Sequence, residues 1–499
     1  MFPQDPHALG SQGSPPSTPD NAVLGEEIDA DVVPPYCPPG QRTLVLCFDG
    51  TGDQFDTDNS NVIMLFSMLM KDRPSEQLVY YQAGIGTYTI PEIATPTYAS
   101  LSKTLDEMIA WDMNAHVMGG YEFLMSNYHS GDKICLFGFS RGAYTARALA
   151  GMVHKVGLLP KGNHQQVPFA YHMFGRTDET GWKQSKAFKK CFSMDVDIDF
   201  IGVWDTVCSI GLIPRTLPFT SSNSAIRVFR HALSLDEHRA KFKANHYQWP
   251  TQEEHAKGVQ HGEMPKSGPK KGLILNLRKD TQRPDQLEHE RHYTARDEDQ
   301  TRTDVLEVWF AGCHCDVGGG SVPNDSKHNL ARIPLRWMIR ECFKMNTGIR
   351  FHAEGLRSIG LDPASLWPHV QPRPPAIYSM PSLTADHARA STADTLVNGD
   401  EHPLTEEEND YIDALSPIYD QLQLAKYWWV LEVIPLEHRH KRMDGTWEDR
   451  LTINMGRGRV VPTDRPFRVH RSVKLRQDKQ NYKPNAIFDE KKLDIEWVD

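Results

Sequence analysis

The sequence predicts an α/β protein built on a doubly wound, mostly parallel sheet, with helices on both faces, insertions in its loops and a C-terminal cap. Three observations carry this expectation. Short continuous apolar runs of strand length recur, as strands buried on both faces require. Segments with apolar residues three and four apart alternate with them, which is the βα rhythm of a parallel sheet. One apolar run ends in a glycine-flanked turn that opens directly into a helix.

The first run is Thr43-Leu-Val-Leu-Cys-Phe48, closed by the turn Asp49-Gly-Thr-Gly52. Val62 to Met70 then reads as a buried helix capped by Asn61 or Ser60. Gln77–Gln82 reads as the second strand. Leu105, Ile109, Met113, Val117, Tyr121 and Leu124 fall on one face of a long helix. It leads into the strand Asp132 to Gly138, and the strong helix formers from Ala143 to Val156 follow, with Gly157 as their stop. Asp199 to Trp204 and Leu306 to Phe310 are further strands, and Asn329 to Met345 a further helix. Thr405 and Glu408 form a capping box for a helix over Tyr411 to Leu415.

Around these elements, residues 1–40 contain nine prolines and little apolar periodicity, which predicts a disordered tail. Residues 41–350 are the expected catalytic domain, with a surface insertion at 251–304 where charges of both signs crowd. Residues 351–499 are expected to cap or wrap the core. The net charge of -10 argues against a nucleic-acid partner, whose binding needs a basic face. No apolar run is long enough to span a bilayer and no secretory signal pattern opens the chain, so the expected location is cytoplasmic, with peripheral membrane contact open. Eight cysteines in 499 residues are too few for a disulfide scaffold, and Cys47, Cys135 and Cys208 lie in or beside apolar runs, as buried thiols do.

The chemistry centres on Gly138-Phe-Ser140-Arg-Gly142. A serine at a strained strand-to-helix turn between small residues is the nucleophile elbow, and its position between a strand and a helix distinguishes it from a chance turn. The amide of Arg141 would then face the developing oxyanion, with a second donor from Gly50 or Thr51 in the first turn. A serine needs a base, and the base a carboxylate, in the chain order Ser, Asp, His. Asp205 directly follows a strand, and His314 lies just past another, before Gly318-Gly-Gly320. Asp199 and Asp316 are the competing acids, His231 and His238 the weaker competing bases. Cys313-His-Cys-Asp316 contains metal-ligand types but has no second cluster at ligand spacing, so neither a metal nor a cofactor is expected. Asp49-Gly-Thr51 is similar to a phosphatase nucleophile loop, yet Cys47 stands where that loop needs a second aspartate. A phosphatase is thus a minor alternative, beside a hydrolase fold kept as a non-catalytic scaffold.

Several motifs together resemble a long-uncharacterised α/β-hydrolase domain family that includes the class-one phospholipase effectors of type VI secretion and is found also in fungi. They are Phe48-Asp-Gly-Thr51, Asn61-Val62, Tyr81-x-x-Gly-Ile-Gly-Thr87, Gly138-Phe-Ser-Arg-Gly-Ala143, Phe200-Ile-Gly-Val-Trp-Asp-Thr206, Ala232-Leu-Ser-Leu-Asp-Glu237 and Trp309 to Gly320. The resemblance implies a Ser140–Asp205–His314 triad acting on lipid esters without a metal. Val469-His-Arg-Ser-Val473 is a further shared feature with no role legible in the sequence. Tyr427-Trp-Trp-Val-Leu431 reads as a packed strand, or else as a wall for acyl chains or a membrane contact. The basic stretch Arg457 to Lys479 could draw anionic lipid head groups, but mixed surface charge explains it without function.

Overall fold

The computed structural model describes residues 31–38, 40–50, 53–84, 98–207, 217–223, 225–248, 303–379, 404–441, 447–489 and 493–499, with only the backbone at 98–112 and 437–450. Its centre is an eight-stranded sheet of β1 (Thr43–Phe48), β2 (Gln77–Gln82), β3 (Lys133–Phe139), β4 (Ile198–Trp204), β5 (Ile226–Ser234), β6 (Asp304–Phe310), β7 (Phe467–His470) and β8 (Ile495–Val498). The spatial order is β2-β1-β3-β4-β5-β6-β7-β8, and every neighbouring pair is parallel. The chain steps one way from β1 to β2 and the other way from β3 onward. Such a reversal opens a crevice beyond the carboxyl ends of the strands, where α/β folds bind ligands.

Register carries the strand ends to one rim. Phe48 pairs with Gly138, Phe139 with Trp204, Trp204 with Ala232 and Ser234 with Phe310. Asp49, Ser140 and Asp205 therefore leave the sheet side by side.

Strand alternation separates two cores. Leu44, Leu46, Phe48 and Leu136 pack with α2 (Tyr98–Asn127), α3 (Ser140–Val156), α4 (Val167–Gly175) and α5 (Glu179–Phe192), through residues such as Tyr121, Leu149 and Phe174. Val45, Cys47, Cys135, Phe137 and Trp204 pack on the opposite face with α1 (Asn61–Met68) and, later in the chain, a helix spanning Arg332–Lys344. Each such side chain buried in full contributes roughly 1.5–3 kcal/mol. The side chain of Ser60 caps α1 by accepting from the amides of Val62 and Ile63.

The outcome departs from the sequence reading in several places. Residues 32–33 pair with 351–352, so the N-terminal segment joins the fold before residue 40. Most of the charged insertion lies outside the described residues, but Asp304 already belongs to β6. Tyr427 to Leu431 is helical, not a strand, as Lys426–Trp428 and Trp429–Val433 form consecutive short helices. The strands β5, β7 and β8 carry no clear apolar pattern of their own.

The helix Arg332–Lys344 is tied to Glu406–Ala414 by buried charge. Arg336 donates to Asp410 Oδ1 at 2.6 Å and to Asp413 Oδ2 at 2.6 Å. Burial would raise the Asp410 pKa, but Arg373 and Arg336 outweigh it and hold the carboxyl far below its usual range. Arg336→Met should therefore cost at least about 3 kcal/mol at neutral pH, read as a fall in the urea midpoint. Because the folded pKa is depressed, the gap from wild type should close as pH drops below roughly 4.

Candidate active site

Ser140 begins α3 with φ of 57°, in the left-handed region that non-glycine residues rarely adopt. The two flanking glycines make room for this turn. A Cβ on Gly138 would lie 2.5 Å from the Gly142 carbonyl oxygen, and one on Gly142 would lie 2.2 Å from the Phe48 carbonyl oxygen. The Arg141 amide falls in the first turn of α3, where N–H groups have no intrahelical acceptor.

Asp205 follows β4 with φ of 42° and is fully buried. His314 opens α6 (His314–Gly318), whose capping box is made by Cys313 and Asp316. The three side chains meet: His314 Nε2 lies 2.8 Å from Ser140 Oγ, and His314 Nδ1 lies 2.5 Å from Asp205 Oδ2. The rings of Phe139 and Phe242 flank the imidazole at centroid separations of 4.6 and 4.9 Å. Burial pushes the His314 pKa below its usual value, although the hydrogen bond and charge of Asp205 pull it back up. For Asp205, burial works upward, but Arg459 and His314 outweigh it and keep the carboxyl ionised.

Several supporting residues explain the motifs. Asp49 accepts from the hydroxyls of Ser60 at 2.6 Å and Tyr81 at 2.8 Å, and from the Gly50 amide at 2.8 Å. Asn61 Nδ2 donates to the carbonyls of Val317 and Ala331, both at 2.9 Å, and so ties α1 to the helix of His314. Gly318 lets that helix lie on Phe139, since a Cβ there would sit 1.9 Å from the ring. Asp236 accepts from the Gly312 amide at 2.7 Å, and Glu237 accepts from the His314 amide at 3.3 Å. His470 stacks on Phe310 at the end of β6, with centroids 5.0 Å apart.

The competing candidates have other tasks. Asp199 lies at the opposite end of β4 and pairs with Arg227 at 2.7 Å. Asp316 accepts from the amides of Cys313 and Tyr419. His231 accepts from the Thr206 amide at 3.0 Å and faces Glu307 at 2.9 Å, while His238 lies between Asp420 and the Gly456 carbonyl. The oxyanion assignment is corrected at Gly50, whose amide is already donated to Asp49. Thr51 lies outside the described residues. Arg459, within the stretch that reads as surface charge, is instead buried against Asp205, donating to Oδ1 at 2.5 Å and to Oδ2 at 2.8 Å.

The family description "T6SS, Phospholipase effector Tle1-like, catalytic domain" matches residues 42–341. The chain belongs to this Tle1-like family. It is accordingly a phospholipase-like hydrolase domain on an α/β fold. An uncharacterized protein of Saccharomyces cerevisiae, YEL023C, is 30% identical over 526 aligned positions, covering 84% of this chain and 77% of the relative. An uncharacterized protein from Pseudomonas aeruginosa has a solved structure that matches 62% of this chain and 46% of its own, with 17% identity and a TM-score of 0.31. The Tle1 effector solved with the VgrG spike matches 57% of this chain and 52% of its own, with 17% identity and a TM-score of 0.28. This chain thus spans about half the length of each solved chain. Ser140, Asp205 and His314 lie within the family match, and Arg459 lies beyond it.

The packing at the elbow is testable with paired substitutions. Gly142→Ala should cost at least about 3 kcal/mol or prevent folding, because the added methyl meets the β1 backbone. At Gly175 a Cβ meets nothing within 4 Å, so Gly175→Ala should be neutral or stabilising by up to about 1 kcal/mol in thermal melts.

Proposed function

We propose that the chain is a serine hydrolase that cleaves lipid esters, phospholipids foremost, through an acyl-enzyme on Ser140. The observation that carries this reading is the unbroken relay from Ser140 Oγ to His314 Nε2 at 2.8 Å and from His314 Nδ1 to Asp205 at 2.5 Å. His314 takes the Ser140 proton as the oxygen attacks the ester carbonyl. Asp205 fixes the tautomer and stabilises the imidazolium. The Arg141 amide holds the oxyanion, with Thr51 as the remaining candidate for a second donor in the first turn. His314 returns its proton to the leaving alcohol, and water then releases the acyl group by the same route in reverse.

A lipid substrate is supported by the apolar surface beside this relay. Phe242, edge-on to His314, also packs edge-on against Trp428 with centroids 5.5 Å apart. Beyond Trp428 the neighbouring Tyr427 is 69% exposed and Val433 51% exposed, an arrangement suited to contact with acyl chains or a lipid surface. Among the described residues no helix is long and apolar enough to cross a membrane.

Ser140→Ala should abolish both hydrolysis of a panel of acyl esters and phospholipids and labelling by a fluorophosphonate. Labelling of equal strength in that variant would overturn the assignment, and an unreactive wild-type chain would favour a non-catalytic scaffold. Asp205→Asn should lower the turnover of the folded chain by roughly 10,000-fold. Because burial lowers the His314 pKa and only the neutral imidazole accepts a proton, activity should persist below about pH 6.5 before its acid limb falls.

A further inference from the structure

We propose that Arg459 is the positioning residue of the catalytic carboxylate, so that the site is completed by a segment outside the family's catalytic domain. This role rests on the reading of Ser140, Asp205 and His314 as a triad. Arg459 is 3% exposed and its guanidinium is fixed on several sides. Nη1 donates to Asp205 Oδ1 at 2.5 Å and to Ser234 Oγ at 2.9 Å, while Nη2 donates to Asp205 Oδ2 at 2.8 Å and to the Phe242 carbonyl at 2.6 Å. Nε donates to the same carbonyl at 3.0 Å. The backbone is equally registered, since the Ile487 amide donates to the Arg459 carbonyl at 2.7 Å and the Ala486 amide to that of Leu235 at 2.8 Å.

Two consequences follow for the chemistry. The Ser234 amide and Arg459 Nη1 hold Oδ1 while Arg459 Nη2 shares Oδ2 with His314 Nδ1, which prevents the carboxylate from turning away. Arg459 also sets the charge around the base. Asp205 and Glu237 face His314 as anions, Arg239 and Arg459 balance them, and Lys243, Glu432, Arg457, Cys313 and Cys315 lie in the next layer. Removing Arg459 leaves the surroundings of His314 more negative, so the imidazole stays protonated to higher pH and fails as a base there.

The test is the rate of fluorophosphonate labelling against pH in the full chain, for wild type, Arg459→Lys and Arg459→Ala, with and without guanidinium at non-denaturing concentration. Arg459→Ala should react about 100-fold more slowly, with its pH midpoint moved upward, and added guanidinium should restore part of the rate. Arg459→Lys keeps the charge but not the forked geometry, and should react about 10-fold more slowly at an unmoved midpoint. Slowing of Arg459→Ala with neither the shift nor the rescue would reduce Arg459 to a structural role and overturn the proposal. If Arg459→Ala does not fold, Arg459→Lys decides: a slowed rate in the folded chain supports the role, and the wild-type rate overturns it. A wild-type chain left unlabelled would instead sink the triad reading, and this role with it.

Discussion

A carboxylate sealed from solvent keeps its charge only where neighbouring groups replace the water it has lost, and Asp205 is in that position. Its two oxygens are shared among Arg459, the Ser234 amide and His314. The orientation of the imidazole depends on this arrangement, and the hydroxyl of Ser140 depends in turn on the imidazole. The same arrangement links distant parts of the chain, because the carboxylate leaves β4, the imidazole follows β6 and the guanidinium lies near the C-terminus. Assembly of the site is therefore coupled to closure of the whole sheet.

Two strained backbone positions lie at the same rim. Ser140 and Asp205 both hold positive φ, although neither is glycine. Such conformations persist only where surrounding structure over-determines them. At Ser140 the constraint is the close approach of β1, β3 and α3, possible because Gly138 and Gly142 lack side chains. At Asp205 it is the amide donated to Ala232 on β5, together with the charged network around the carboxylate. Residues of the first turn serve the site indirectly. Asp49, Ser60 and Asn61 form a latch that fixes α1 against the helix of His314. This accounts for the buried aspartate of the first motif without assigning it chemistry.

The elements read from sequence were those whose pattern is local. The apolar runs of β1, β3, β4 and β6 are strands to within one or two residues, and Gly157 ends α3 as its left-handed backbone requires. The capping box at Thr405 and Glu408 is present. β5 is not legible as a strand because Arg230 and His231 interrupt its apolar pattern, and both are buried through partners on other strands and helices. β7 and β8 are four residues each and take their identity from pairing, β7 between β6 and β8, and β8 at the sheet's edge. The segment around Trp428 shows the same limit, since aromatic composition does not separate a short helix from a strand.

What the sequence determined alone was the kind of fold, the serine at its strained turn and the order in which its partners must follow. Each rests on local chemistry: apolar runs that must be buried, glycines where a side chain would clash, and a polar residue at the end of a strand. Only the tertiary structure decided which buried charges neutralise one another. Nothing near residue 459 distinguishes its arginine from those of a solvated surface, because the feature that gives it a role is a carboxylate more than half the chain away. Likewise the Gly50 amide is a free donor in the sequence and becomes occupied once Asp49 folds against it.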